Sequence, residues 1–534
     1  MSHSSKLSPE TKKLIVLSIP IIVSLVLVYW NITSLGLSQW DEDNYVSTAK
    51  WFLGRSDSWF QIYEPPVFPL LIASFFRLFG VYDYAAIATS ATVAVATVAL
   101  VEYIGYKEFG LEVAFAAPIF LCMSPLFILF SRLALPDIPV TFFLSAAVIS
   151  AYWGIKSGKM RYLLVSGLFF ALTVNTKYQG ILSLFIPILY LPLFLHASGS
   201  PFMRNLLKHL RSVTIVYIIP IFSVFLWFLV IGIGEKIRGP GVGARVSIHK
   251  ALSLSTLRLA DWSTIMAGVR RFRTQVVALK NVPIIPLNEI SYYLQILLTW
   301  VPVPLLVLGI VGMATKRVRE DAEFFVAFWF VVLFLMLASL PFGFFRMGLM
   351  LLPPLSLLSA LGLMRLSKFV APKFPTVSPL RLCHNPKVVF FGILVLLVIS
   401  SMVPVLNIVA MNRASYREAG QVLDKIAGNQ TVLAESQTVI AFYHPVVFEY
   451  SNDPSMLRQY LANSSFLIVD FIADQRGLRP TITQLQDEGR IVPIEAIPNQ
   501  LPDLIYLNDQ FNYTQLNQES HYIIIYQVMN ATST

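Results

Sequence analysis

Stretches of about 20 apolar residues, almost free of charge, recur along this chain to beyond residue 400, and nothing else constrains its fold as much. The last of them, PKVVFFGILVLLVISSMVPVLNIVA over 386–410, carries one cation at its start and no acid. Such a stretch needs either a protein interior or lipid, and a hydrocarbon layer roughly 30 Å thick takes one helix of this length. Charged residues make up 13% of the 534, against about 25% in soluble domains, while 56% are hydrophobic and mean hydropathy is +0.67. A chain of several soluble domains would have too little charge to cover its apolar surface. The expected fold class is a polytopic α-helical membrane protein.

Eleven spans are expected, near 14–34, 83–106, 112–130, 138–155, 162–176, 178–197, 212–233, 291–312, 323–340, 348–364 and 388–410. The stretch 66–80 adds an interfacial or spanning helix. The first span is too long for a signal peptide and lacks a small-residue cleavage site, so it reads as an uncleaved anchor. The net charge of +10 is then a matter of topology, and no nucleic-acid partner is expected. With the N-terminus in the cytoplasm, the inner loops collect 18 Lys and Arg between Lys6 and Lys387. The short outer segments hold six: Lys50, Arg55, Arg77, Arg132, Lys177 and Arg346. This asymmetry predicts a multi-pass plasma-membrane protein with its N-terminus inside and its C-terminus outside. The Asn-x-Ser/Thr sequons at Asn31, Asn429, Asn463, Asn512 and Asn530 all fall on that outer side. Cys122, in an apolar run, and Cys383, in a basic loop, make no disulfide framework.

Two regions depart from this pattern. The loop 234–290 falls outside yet carries nine Lys and Arg against three acids. Either a span is miscounted or the cations meet an anionic lipid headgroup, over which the loop would close as a lid. After residue 410 the balance inverts: the first 410 residues carry +16 and the tail 411–534 carries −6. Helical periodicity over Tyr416–Ala427 and Ile482–Glu488 alternates there with extended runs at Thr431–Ala434, Phe466–Phe471, Ile491–Ile497, Leu504–Leu507 and Tyr522–Gln527. The expected organisation is a transmembrane domain over 1–410, with a first outer loop at 35–82, followed by a soluble extracytoplasmic α/β domain over 411–534.

In so apolar a chain, ionisable residues at the ends of spans carry the most information. Five clusters fall on the outer face. Trp40-Asp41-Glu42-Asp43-Asn44-Tyr45 places three carboxylates beside the membrane, where they can act as a base, bind a polyol or a metal, or simply cap a helix. Tyr63-Glu64-Pro65-Pro66 is a proline-stiffened start to an apolar helix that also holds Glu64 rigidly. Arg132 and Asp137 flank a short turn, as an ion pair or as ligands. Thr176-Lys177-Tyr178 and Phe345-Arg346-Met347 each present one cation, which either snorkels to the headgroups or meets a phosphate. Carboxylates and cations at one depth suit transfer from a phosphorylated lipid: cations hold the leaving phosphate and a carboxylate takes the proton of an attacking hydroxyl.

These clusters, in this order, resemble the GT-C glycosyltransferases, and within them the protein O-mannosyltransferase and aminoarabinose (lipid A) transferase superfamily. The resemblance runs over roughly residues 14–365. It rests on Asp41-Glu42 with Tyr45, on Pro65-Pro66 before an apolar helix ending at Gly80, and on Arg132 with Asp137. It continues through Thr176-Lys177-Tyr178 with Gly180, then Arg346 ahead of Pro353-Pro354. The compact loops read as prokaryotic, and within that as archaeal.

What the resemblance implies is an inverting enzyme that uses a polyprenyl-phosphate monosaccharide, dolichyl-phosphate mannose in many members. By this likeness Asp41 is the general base and Glu42 orients acceptor or donor. Lys177, Arg346 and Arg132 bind the donor phosphate, while Asp43, Tyr45, Glu64, Asp137 and Tyr178 line the substrate site. Local chemistry does not separate Asp41 from Asp43 as base; the family register selects Asp41. The likeness implies no cofactor beyond the lipid-linked donor and no metal. Arg346-Met347 stands where many relatives have Arg-Tyr. The outer loops lack β-trefoil repeats, and a Trp-Trp-Asp motif is absent, so neither a Ser/Thr-protein acceptor nor en bloc transfer to Asn is expected. The acceptor is left as a glycan, a lipid or a protein. Two other classes compete: a lipid transporter or flippase, which would place ionisable groups at mid-membrane, and a non-catalytic scaffold, which would need no carboxylate–cation cluster.

Overall fold

The structure is a computed structural model. It describes residues 8–197 apart from 39, 56–57, 59 and 62–63, then 214, 216–223, 226, 229, 245–246, 266, 287–314, 322–339 and 345–374. It also describes 380–529 apart from 412, 429, 435–436, 445–447, 450–453, 471–476 and 500–520. The membrane part begins with α1 (Pro9–Tyr29), α2 (Trp40–Phe52), the two-residue strand β1 (Phe60–Gln61), α3 (Val67–Phe79) and α4 (Asp83–Phe109). Then follow α5 (Leu111–Cys122), α6 (Pro125–Ser131), α7 (Asp137–Ser157), α8 (Met160–Thr176), a 3-10 segment Tyr178–Leu184 and α9 (Phe185–Ala197). Strand β2 (Arg245–Val246) precedes α10 (Leu287–Trp300), α11 (Val303–Met313), α12 (Ala322–Ala338), a 3-10 segment Phe345–Leu351, α13 (Leu352–Val370) and α14 (Pro386–Ala410).

Six described helices are long and apolar enough to cross a membrane, seven if the bent pair α5–α6 counts as one span, so the expected eleven are not reached among the described residues. The differences have local causes. The run 112–130 bends by 69° where Ser124-Pro125 interrupts the helix, because proline removes a backbone donor and disfavours helix in the residue before it. The run 291–312 is divided at Pro302 into α10 and α11. Helices α3, α8, α11 and α12 are apolar but shorter than 18 residues. Most of the span expected at 212–233 lies outside the described residues, as does nearly all of the basic loop 234–290. Its Arg245–Val246 pairs antiparallel with Phe60–Gln61, so this loop meets the segment between α2 and α3.

Burial separates a core from a rim. The span containing α13 is 94% buried and that of α7 89%, against 22% for α1 and 28% for the span containing α14, whose apolar side chains face outward. Helices α11 and α13 meet through glycines: a Cβ on Gly312 would sit 2.0 Å from the Leu358 carbonyl oxygen, and one on Gly362 1.9 Å from that of Leu308. Polar groups gather at the two ends of the bundle. At one end Lys13 contacts Tyr106, Arg365 pairs with Glu323, Trp153 Nε1 donates to Glu108 at 2.7 Å, and the Lys107 ammonium lies 3.4 Å from the Trp153 ring centroid. The opposite end carries the five clusters picked out in the sequence.

Beyond α14 the chain forms α15 (Ser415–Ile426), β3 (Val432–Ala434), α16 (Gln437–Tyr443), β4 (Phe448–Glu449), α17 (Pro454–Leu461), β5 (Phe466–Val469), α18 (Arg479–Asp487), β6 (Ile491–Pro498) and β7 (Tyr522–Val528). The strands make one sheet in the order β4-β3-β5-β7-β6, parallel at β4-β3-β5 and antiparallel at β5-β7-β6. Leu457, Leu461, Ile482 and Leu485 from α17 and α18 pack with Leu433, Leu467 and Val469 in a core of their own. The strand expected at 504–507 lies outside the described residues.

Because a methyl on Gly312 would overlap backbone rather than a movable side chain, Gly312→Ala is expected to destabilise the bundle by about 1–3 kcal/mol. The check is the thermal midpoint in detergent, with Gly392→Ala, whose Cβ meets nothing within 4 Å, leaving the midpoint in place.

Candidate active site

Helix α2 opens with Asp41, Glu42 and Asp43 in its first turn, where carboxylates are favoured by the exposed N–H groups of a helix start. Successive residues on a helix point about 100° apart, so these neighbours in sequence diverge in space. Asp41 reaches across to Arg346, whose Nη1 lies 2.7 Å from its Oδ2. Arg346 is carried by the 3-10 segment that leads into α13, where Pro353 and Pro354 occupy positions in the first turn that need no intrahelical donor. Glu42 turns the other way and is fully buried: its Oε2 accepts from Ser38 N at 2.7 Å and Ser38 Oγ at 3.1 Å, and its Oε1 accepts from Ala134 N at 2.6 Å. Asp43 is also buried.

Asp137 is the first residue of α7 and Lys177 caps the end of α8; the two form a buried ion pair. Each sits where its charge complements a helix terminus, an acid at a start and a cation at an end. Tyr45, one turn along α2 from Asp41, donates from its hydroxyl to Glu64 Oε2 at 2.6 Å and packs edge-on against Phe68. Glu64 is held just ahead of Pro65-Pro66. Burial first, and then the neighbouring Asp41 carboxylate, push the Glu64 carboxyl up to about 7 despite Tyr45, Arg346 and Lys177. Burial and Glu64 also raise the Tyr45 phenol well above its ordinary range, keeping it a donor. Lys177 in turn senses Arg346 and Asp41. Asp41, Tyr45, Glu64, Asp137, Lys177 and Arg346 thus form one electrostatic cluster drawn from five separate segments of the chain.

The contacts described for Arg132 and Glu42 are mainly with backbone elsewhere. Arg132 is buried with its guanidinium spent on backbone: Nη1 donates to the carbonyls of Leu27, Val28 and Trp30 at 3.2, 3.0 and 2.7 Å, and Nη2 to that of Val409 at 3.3 Å. It satisfies open carbonyls at the ends of α1 and α14, contacts invisible in sequence. Glu42 likewise fastens the start of α2 to the turn before α7. Tyr178 follows Lys177 at the head of its 3-10 segment and is half-buried. Sequence reading missed Asp83, Arg417 and Tyr443, which meet at this same end of the bundle. Only an acid at the first position of α4 hinted at them. No group of three or more His, Cys, Asp and Glu able to hold a metal ion is present among the described residues.

Residues 63–228 match the family model described as dolichyl-phosphate-mannose-protein mannosyltransferase, a stretch that contains Glu64, Asp137 and Lys177 but not Asp41 or Arg346. No curated protein sequence matches the chain. Among solved structures, ArnT from Cupriavidus metallidurans bound to undecaprenyl phosphate superposes with a TM-score of 0.59 at 11% identity, covering 98% of this chain and 99% of that one. The archaeal oligosaccharyltransferase AglB from Archaeoglobus fulgidus, in complex with an inhibitory peptide and a dolichol-phosphate, superposes at 0.55 and 12% identity, covering 88% of this chain and 72% of that one. The architecture, the family match and the ordered clusters agree: this chain has the GT-C glycosyltransferase fold.

Proposed function

We propose that the protein transfers one sugar from a polyprenyl-phosphate donor to an acceptor hydroxyl of a glycan, lipid or protein, on the extracytoplasmic side of a plasma membrane. The carrying observation is the meeting of Asp41 and Glu64 with Arg346 and Lys177 at one end of the bundle, where lipid headgroups would lie. In the reaction the acceptor oxygen attacks the anomeric carbon, the bond from that carbon to the phosphate oxygen breaks, and the polyprenyl phosphate leaves with the electron pair. The leaving phosphate gains a negative charge as it departs, which Arg346 and Lys177 are placed to stabilise. The acceptor proton goes to Asp41.

The Asp41–Arg346 pair fits this order of events. A donor phosphate that takes Arg346 removes the counter-ion from Asp41 and frees the carboxylate to act as base at the moment the donor is in place. Tyr45 and Glu64 stand beside it, with Glu64 suited to holding the acceptor hydroxyl. Mannose is the first sugar to try, since the matching family model is named for it. Transport of a whole lipid is less well served, because the ion pairs described at this site lie at helix ends rather than at mid-span.

With purified protein in lipid and a panel of labelled polyprenyl-phosphate sugars, Asp41→Asn should lower turnover by about 10²–10⁴-fold. Donor affinity should hold or tighten, because Arg346 loses its competing partner. Equal losses in binding and turnover would remove Asp41 from the base role. The pH profile tests Glu64. Its carboxyl is neutral below about 7 and charged above, and the carboxylate is the stronger hydrogen-bond acceptor for the hydroxyl it holds, so the rate should climb as pH passes through that value. In Glu64→Gln that limb should vanish; a limb that persists unchanged assigns it to another group.

A further inference from the structure

We propose that the sheet-bearing C-terminal segment is a positioning element of the active site, acting through a latch of Asp83, Arg417 and Tyr443 on the loop that delivers Asp41. The inference rests on the reading of Asp41 as the base. Residues 35–38, between α1 and α2, have no regular structure, and their backbone groups find partners in the tail. Arg417, near the start of α15, donates from Nη1 to the Thr33 carbonyl at 3.0 Å and from Nη2 to the Leu35 carbonyl. Its Nε and Nη2 also reach Asp83 Oδ2, at 2.9 and 2.5 Å. Tyr443, the last residue of α16, accepts from Leu37 N at 2.7 Å while its hydroxyl donates to the same Asp83 oxygen at 2.7 Å. Three backbone groups of one loop are therefore gripped by two side chains from the tail, with a buried carboxylate as their common anchor.

The fit leaves little slack. A Cβ on Gly36 would stand 3.1 Å from both the Arg413 carbonyl oxygen and the Tyr443 hydroxyl, so the loop lies directly on the tail. From Leu37 the grip passes to Ser38, whose amide and hydroxyl are held by Glu42, and Glu42 is the neighbour of Asp41 in the first turn of α2. Further along, α16 packs on α2, with the Lys50 ammonium 5.8 Å from the Phe442 ring centroid. Within the membrane part the start of α2 is tied through Asp41 to Arg346 and through Glu42 to Ala134, and the tail adds its grip on the loop just before it. A base displaced by about 1 Å from its proton costs on the order of 100-fold in rate, so a holder at this distance acts on turnover without touching substrate.

The test uses the full-length protein in nanodiscs and two variants, Arg417→Ala and Tyr443→Phe, the second of which removes a single hydroxyl. Amide hydrogen exchange over residues 35–48 is expected to quicken in both, while exchange in α7 and α13 stays as in wild type. With a polyprenyl-phosphate sugar as donor, kcat should fall by about 10- to 100-fold with the donor KM within about threefold, because the phosphate-binding cations are untouched. Arg417→Lys should recover part of kcat. Unchanged exchange over 35–48, or quicker exchange with unchanged kcat, overturns the proposal, and so does a parallel fall of thermal midpoint and donor binding that marks general unfolding in both variants. If the wild type turns over no polyprenyl-phosphate sugar, it is the proposed function that fails. The exchange data then still decide whether the tail holds α2.

Discussion

A charge placed against lipid must be paired, and the end of this bundle is organised by that requirement. Asp41 with Arg346, Asp137 with Lys177 and Asp83 with Arg417 each join segments far apart in the chain, and each is at least partly withdrawn from water. Burying one such ion alone would cost several kcal/mol, so the pairs determine which helix ends lie together. They also leave a particular kind of site. Cations already desolvated and held in place can exchange a carboxylate for a phosphate with little rearrangement, and the carboxylate so released is a base without a counter-ion. On the proposed function, donor binding and activation of the base become one event. Within each pair the charges neutralise one another, which lowers the cost of holding them together at the bundle end.

Much of this was legible in sequence because lipid imposes a severe filter. Acids and cations are so scarce in the spans that those remaining at their ends had to be structural or functional, and five of the six cluster members stood out for that reason together with Tyr45, the sixth, one helical turn from Asp41. What sequence could not show was the third dimension of local geometry. Asp41 and Glu42 are adjacent in the chain, yet a helix sends one to Arg346 and the other into the loop behind it. Arg132 reads in sequence as a phosphate ligand, and the backbone carbonyls of Leu27, Val28, Trp30 and Val409 that it meets leave no mark in the amino-acid string. The latch joins Asp83 to residues more than 330 positions away, with only a helix-start acid as a signal. Nor does hydropathy show where Ser124-Pro125 and Pro302 break apolar runs that it reads as continuous.

The likeness to known proteins divides in the same way. The family match covers 63–228, the part with the proline-stiffened Glu64 loop and the Asp137–Lys177 pair, whereas the fold likeness extends over nearly the whole chain at 11% identity. Positions facing lipid accept almost any apolar residue, so sequence can drift while helix packing and terminal charges hold the shape. The tail is joined to the loop before α2 by hydrogen bonds and packing rather than appended as a separate bead. On the proposed function, the membrane part cradles the lipid-linked donor and the tail gives the base a rigid mount.

The most direct measurement is equilibrium binding of a polyprenyl phosphate and of the corresponding uncharged polyprenol to the protein in nanodiscs, repeated with Arg346→Ala and Lys177→Ala. If the cluster is a phosphate site, the phosphorylated lipid binds the wild type at least about tenfold more tightly than the alcohol, and each variant loses most of that difference. Equal affinity for the two lipids, or a preference that survives both substitutions, would contradict the account at its centre.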